Sequence, residues 1–264
     1  MSILDKITAA TRLRVERDKA ACPQERLGDG GGFGNTPFAF EKALAAPGVS
    51  FICEIKRASP SKGLIAPDFS CRRIAREYEA AGAAAISVLT EPDFFLGSDA
   101  YLTAVRETVA APLLRKDFII DDYQIRQAKA IGADAVLLIC AILRPEQLRA
   151  YRELADSLGL SALVEVHNEA EAAMAVEAGA RVVGVNNRDL RTFQVDMGNS
   201  VRLRELIPRE VLFVSESGIT GHTEVSLLAR HGVDAVLVGE SLMRSPDKGA
   251  ALAALRGGNE NDQA

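Results

Sequence analysis

Glu54 and Lys56 sit two residues apart in Phe51-Ile-Cys-Glu-Ile-Lys-Arg-Ala-Ser-Pro-Ser61. In an extended chain they project from one face, with Phe51, Cys53 and Ile55 on the other. Burying a carboxylate and an ammonium together is costly without compensation. A strand that turns them inward therefore holds a structural ion pair or handles protons. Leu114-Arg-Lys116-Asp-Phe118 places Lys116 in phase with apolar neighbours, and Leu163-Val-Glu165-Val-His167 does the same for Glu165. Lysines and carboxylates carried on apolar strands are the material of general acid–base catalysis. Three more apolar runs close on polar groups: Gly184-Val-Asn186-Asn-Arg188-Asp, Ser215-Glu216-Ser217-Gly218 and Gly239-Glu240-Ser241. One such ending is an ordinary satisfied terminus; six of them point to a site.

A repeat positions these endings. A helical stretch, a Gly and an apolar β-rich run recur as Gly82-Ala-Ala-Ala-Ile-Ser-Val-Leu, Gly132-Ala-Asp-Ala-Val-Leu-Leu-Ile, Gly179-Ala-Arg-Val-Val-Gly-Val and Gly232-Val-Asp-Ala-Val-Leu-Val-Gly, about 50 residues apart. Gly is the residue expected where a helix ends in a left-handed turn. The runs lack polar alternation, as strands buried on both faces do. Val49–Arg57, Pro112–Phe118, Ala162–His167 and Val211–Gly218 supply four more strands, and segments such as Pro145–Leu158, Ala170–Ala178 and Thr223–His231 read as helices. The expected fold is α/β, a closed (β/α)8 barrel over residues 49–256, with a doubly wound open sheet as the alternative. Residues 1–48 form an N-terminal helical extension, with an amphipathic helix over Ile3–Ala21 and a flexible loop at Gly28–Gly34. The extension is expected to cover the active-site face as part of a single domain, and removing residues 1–45 to leave a folded barrel with weaker turnover. Residues 257–264 read as a frayed tail.

In a barrel of this kind chemistry gathers at the C-terminal ends of the strands. Small residues after the seventh and eighth strands, at Ser217-Gly218 and Gly239-Glu240-Ser241, let backbone N–H groups approach an anion. A phosphorylated small molecule is the expected substrate.

Composition narrows the classes. The 264 residues are 48% hydrophobic and 25% charged, with a net charge of −5, which excludes a disordered chain. The acidic balance argues against nucleic-acid binding. Cys22, Cys53, Cys71 and Cys140 form no CxxC pair and stand apart from His167, His222 and His231, so neither a zinc site nor a disulfide framework is expected. The N-terminus lacks a signal-peptide pattern, and no apolar run reaches the length of about 18 residues that a membrane helix needs. A cytoplasmic protein without membrane association is the expectation, monomeric or weakly self-associating.

The motifs Glu54-x-Lys56-x-x-Ser59-Pro60-Ser61, Ser87-Val-Leu-Thr90-Glu91, Lys116-Asp117-Phe118, Glu165-Val166, Gly184-Val-Asn186-Asn-Arg188-Asp-Leu190, Ser215-Glu216-Ser217-Gly218-Ile219 and Gly239-Glu-Ser-Leu-Met243, in this order, resemble the indole-3-glycerol-phosphate synthase family. The likeness runs from about Ile3 to Met243. It implies a (β/α)8 TIM barrel that converts 1-(2-carboxyphenylamino)-1-deoxyribulose 5-phosphate to indole-3-glycerol phosphate, releasing CO2 and water in tryptophan biosynthesis, with no cofactor and no metal. By the same resemblance Lys116 is the general acid of ring closure and Glu165 the base of dehydration. Lys56 lies near the substrate's carboxylate and phosphate and is a candidate acid for loss of water. Glu54 and Asn186 position hydroxyls and lysines, and Ser217 helps hold the substrate. Ser59, Arg188 and the backbone at Gly218, Gly239 and Glu240 hold phosphate. Phe95, Phe118, Leu137, Ile139 and Leu190 wall the ring. Where relatives carry a small hydroxyl residue this chain has Glu240, whose side chain is expected to point to solvent. A lowered pKa would suit Lys116; crowding by Lys56 and burial favour that, and Glu54 and Glu165 oppose it. The alternatives are another phosphate-binding barrel enzyme, such as a sugar-phosphate isomerase, or a non-catalytic pathway module.

Overall fold

The computed structural model describes residues 2–28, 33, 36–189 and 192–258. Leu190, most of the loop at Gly28–Gly34 and the tail beyond residue 258 lie outside the described residues.

Eight strands close into a parallel barrel, which decides against the open sheet. They are β1 Ser50–Ile55, β2 Ala85–Leu89, β3 Leu113–Lys116, β4 Ala135–Ile139, β5 Ser161–Val166, β6 Val182–Asn186, β7 Leu212–Glu216 and β8 Ala235–Val238. Each pairs with its sequence neighbours, and β8 returns to β1 through Ser50 opposite Ala235 and Cys53 opposite Val238. The four repeat glycines, Gly82, Gly132, Gly179 and Gly232, all have positive φ, between 73° and 94°. There each chain leaves a helix and enters the next strand, a conformation any Cβ would resist.

Strand alternation divides the apolar residues into two layers. Phe51, Cys53 and Ile55 face the helices, whereas Ile52, Leu114, Leu137, Leu163, Val214 and Leu237 fill the barrel. The inner set ends in charged groups at the C-terminal face because the same alternation continues past the last apolar residue.

Residues 1–48 do not act as one cover. Helix α1, Ile3–Ala21, begins with a reciprocal Ser2–Asp5 capping box and lies on the C-terminal face. Ile7, Thr11 and Val15 are its buried stripe. Arg14 bonds Asp117 at 2.7 Å, and Lys19 bonds Asp121 at 2.8 Å. Helix α2, Ala39–Leu44, closes the opposite end. Its Phe40 and Leu44 are fully buried within the inner apolar layer, and Glu41 reaches Ser161 at the start of β5 and Arg181 just before β6. The reason is physical: the barrel's N-terminal mouth exposes inner side chains that need an apolar plug.

That placement changes what truncation does. Phe40→Ala should destabilise the fold by about 3–5 kcal/mol, the usual range for emptying a buried aromatic site. Urea unfolding followed by circular dichroism checks this, and removal of residues 1–45 should give an unstable barrel rather than an intact one.

Candidate active site

A cavity of about 710 Å³ opens at the C-terminal face. At its floor Lys116, ending β3, donates to Glu165 of β5 at 3.1 Å and to Glu216 of β7 at 2.6 Å. Glu54 of β1 and Lys56, just after it, pair at 2.5 Å beside it. Asn186 at the end of β6 donates to Glu165 at 3.4 Å, and its Oδ1 accepts from Ser217 at 3.0 Å and from the Arg188 N–H at 3.1 Å. Ser217 holds φ at +69°, a strained setting for a non-glycine residue.

Ser59, Arg188, Gly218, Gly239 and Glu240 all line the cavity, so its small-residue wall is continuous from β7 to β8 and back to the loop after β1. That loop forms a short hairpin, Ala58–Ser59 against Gly63–Leu64. Phe95, Phe118, Leu137 and Ile139 line it too, with the Phe95 and Phe118 rings 5.9 Å apart. Leu190 lies outside the described residues. Ile3, Leu4 and Ile7 of α1 complete the cavity wall.

The electrostatics decide the balance that the sequence leaves open at Lys116. Burial alone would discharge the Lys116 ammonium, but Glu216, Glu165 and Glu54 outweigh it and hold its pKa above the ordinary lysine value. Crowding by Lys56 does not prevail. The cavity lining mixes both signs of charge. Lys56, Lys62, Lys116, Arg188 and Arg244 line the cavity together with Glu54, Asp117, Glu165, Glu216 and Glu240. Glu240 does not point freely into solvent: Arg244 bonds it at 3.1 Å and Lys62 approaches to 3.6 Å. Two cations at the rim draw it back.

Burial raises the Glu165 carboxyl's pKa, yet Lys116 and His167 prevail and hold it below the usual value. Glu216 goes the other way. Burial and the neighbouring Glu165 charge exceed the pull of Lys116, so its carboxyl is pushed up to about 7. Glu216 carries no assigned role in the sequence reading, although it follows Val214 by two residues and so shares its inward face. That alternation is the signal that could have found it.

A sequence profile described as indole-3-glycerol phosphate synthase matches residues 4–255. The chain belongs to that family. An indole-3-glycerol phosphate synthase of Ruminiclostridium cellulolyticum is 58% identical over 97% of this chain and 99% of the relative. One of Endomicrobium trichonymphae is 54% identical over 92% of this chain and 95% of its own. Among solved structures, the 3-hexulose-6-phosphate synthase of Salmonella typhimurium aligns with a TM-score of 0.65 at 15% identity, over 78% of this chain and 96% of its own, and shares the fold alone. Membership of the synthase family makes the chain a decarboxylating carbon–carbon lyase of tryptophan biosynthesis, and it decides against the isomerase and interaction-module alternatives.

Two outcomes follow for this synthase-family site. Glu216 with a raised pKa stabilises the fold below its unfolded value near 4.5, and that contribution is lost as pH rises through about 7. Glu216→Gln should therefore remove part of the decline in urea midpoint across that window, measured against wild type. Because Glu240 is already neutralised, Glu240→Ser should change KM by less than about 3-fold, on the scale of a screened surface pair; a steady-state titration of substrate reads it.

Proposed function

We propose that Lys116 and Glu165 carry the proton transfers of indole-3-glycerol phosphate formation, with Glu54, Lys56, Asn186, Glu216 and Ser217 around them. The observation that carries this reading is the position of the Lys116 Nζ between Glu165 and Glu216, at the floor of a cavity with a small-residue wall on one side and Phe95 and Phe118 on another. The phosphate of the carboxyphenylamino-deoxyribulose phosphate sits against Ser59, Arg188, Gly218, Gly239 and Glu240. The anthranilate ring sits against Phe95, Phe118, Leu137 and Ile139, with Leu190 as a further candidate. The ring carbon that bears the carboxylate attacks the ketone carbon. As that bond forms, the ketone oxygen gains negative charge and draws a proton from Lys116. An ammonium with a raised pKa parts with its proton only to a developing alkoxide, which ties the transfer to bond formation. The bond to CO2 then breaks, and its electron pair restores the benzene ring. In the second stage the new hydroxyl leaves as water with acid assistance, for which Lys56 is a candidate, and Glu165 removes the C–H proton that completes the indole. The lowered pKa of Glu165 keeps it ionised for that step.

No cofactor or metal enters this scheme. A cytoplasmic setting belongs to the proposal, supported by four unpaired cysteines. A monomer or weak homo-oligomer fits a barrel whose closed sheet offers no strand edge for pairing. No helix among the described residues is long and apolar enough to cross a membrane.

Lys116→Met and Glu165→Gln should each lower kcat by about 10²–10⁴-fold, the usual contribution of a positioned acid or base. The protein contains no Trp, so the indole product fluoresces against a protein with no indole of its own and can be followed directly. A wild-type chain that forms no indole, or a Lys116→Met chain near full rate, would remove the corresponding assignment.

A further inference from the structure

His167 stands behind Glu165, off the cavity wall. Its Nε2 lies 3.4 Å from Glu165 Oε1, and its Nδ1 lies 3.1 Å from Glu171 Oε2. Nε2 is a buried polar atom without a hydrogen bond, and Glu165 is the carboxylate it faces. Glu171 is fixed in turn: its Oε2 accepts the His167 backbone N–H at 2.8 Å, and its Oε1 accepts the Asn168 amide at 2.8 Å. The side chains are 4%, 16% and 18% exposed in the order Glu165, His167, Glu171, a path from the buried carboxylate toward solvent. The charged groups facing the imidazole are Glu165 from β5, Glu171 from the following helix and Glu216 from β7. Lys116 acts on it through Glu165. On the neighbouring helix Asn199 bonds the His167 carbonyl, while Arg202 is taken by Asn199 and Glu169.

The reaction's proton balance gives this arrangement a task. The ketone oxygen leaves as water and so receives two protons. The C–H that is lost returns one, and the other comes from solvent, since CO2 departs from a carboxylate. After ring closure Lys116 has given up its proton, and the intermediate still fills the cavity.

We propose that His167 is a positioning residue that recharges Lys116 through Glu165 from behind the occupied cavity, between ring closure and loss of water. The imidazolium passes its Nε2 proton to Glu165 Oε1 and keeps its Nδ1 proton against Glu171; it is recharged at Nε2 from solvent, by way of Glu165, once the product has left the cavity. The Glu165 carboxyl turns, hands the proton to Lys116 and is again a carboxylate, ready to accept the C–H proton. Recharged, Lys116 stands beside the hydroxyl it made and protonates it as it leaves, taking the step for which Lys56 is the other candidate. Burial disfavours the charged imidazole, but Glu171 and Glu165 prevail and raise its pKa above the ordinary value, which favours the imidazolium. The inference rests on the proposed reading of the site.

Single-turnover measurement of CO2 release and of indole fluorescence separates the two stages. For His167→Asn we expect CO2 release at the wild-type rate, indole formation slowed by about 10-fold or more, and KM within about 2-fold. Glu171→Gln, which leaves the imidazole in place, should slow the same stage. Imidazoles added to His167→Ala should restore indole formation, with a rate that follows their pKa. Indole and CO2 appearing together at wild-type rates in His167→Asn, or rescue that follows the size of the imidazole rather than its pKa, overturns the relay. If wild type releases no CO2 and forms no indole, the site reading itself falls, a result distinct from failure of the relay alone.

Discussion

A buried ammonium must be surrounded by carboxylates, and most of the architecture of this site follows from that constraint. Desolvating Lys116 by itself would cost several kcal/mol. Glu165 and Glu216 bond it directly, and Glu54 adds a third negative charge nearby. Each comes from a different strand, so no single segment can form the cluster. Two glycines make room for it. A Cβ at Gly184 would collide with Glu216 Oε1, and one at Gly239 with Glu54 Oε1. Those strands are bare where the carboxylates lie, and the crowding that requires this also raises the pKa of Glu216.

The same cluster is fastened from outside the barrel. Asp117 follows Lys116 and is fully buried, with one oxygen bonded by Arg14 of α1 and the other by Thr90, and with Arg115 at 3.3 Å. The helix over the mouth and the residue next to Lys116 thus share one buried ion network. Much of the charge on the cavity wall is paired: Lys56 is bonded to Glu54, and Lys62 and Arg244 are drawn to Glu240. An anion binding at this rim as proposed would exchange partners with these carboxylates more than meet free positive charge.

Much of this was legible in the chain because barrels repeat. Gly82, Gly132, Gly179 and Gly232 marked four helix-to-strand turns, and the phase of Lys116 with Leu114 and of Glu165 with Leu163 showed which side chains turn inward. Alternation covers Glu216 equally, but a motif that ends in Ser-Gly drew attention to the small residues instead. The position of α2 was not legible, since Glu41 finds its partners at Ser161 and Arg181, more than a hundred residues along the chain. Nor was the charge state of Lys116, because a balance between burial and three carboxylates depends on distances that no spacing encodes.

The N-terminal segment has a consequence for how the chain is made. Residues before β1 leave the ribosome ahead of the barrel, yet Arg14 waits for Asp117, and Glu41 and Phe40 wait for a barrel that contains β5. Contacts of such sequence separation are slow to form. A segment made before the barrel is therefore among the last to dock, and until it does, both mouths of the barrel stand open. A half-synthesised chain presents the stripe of Ile7 and Val15 and the apolar face of α2 to whatever it meets first.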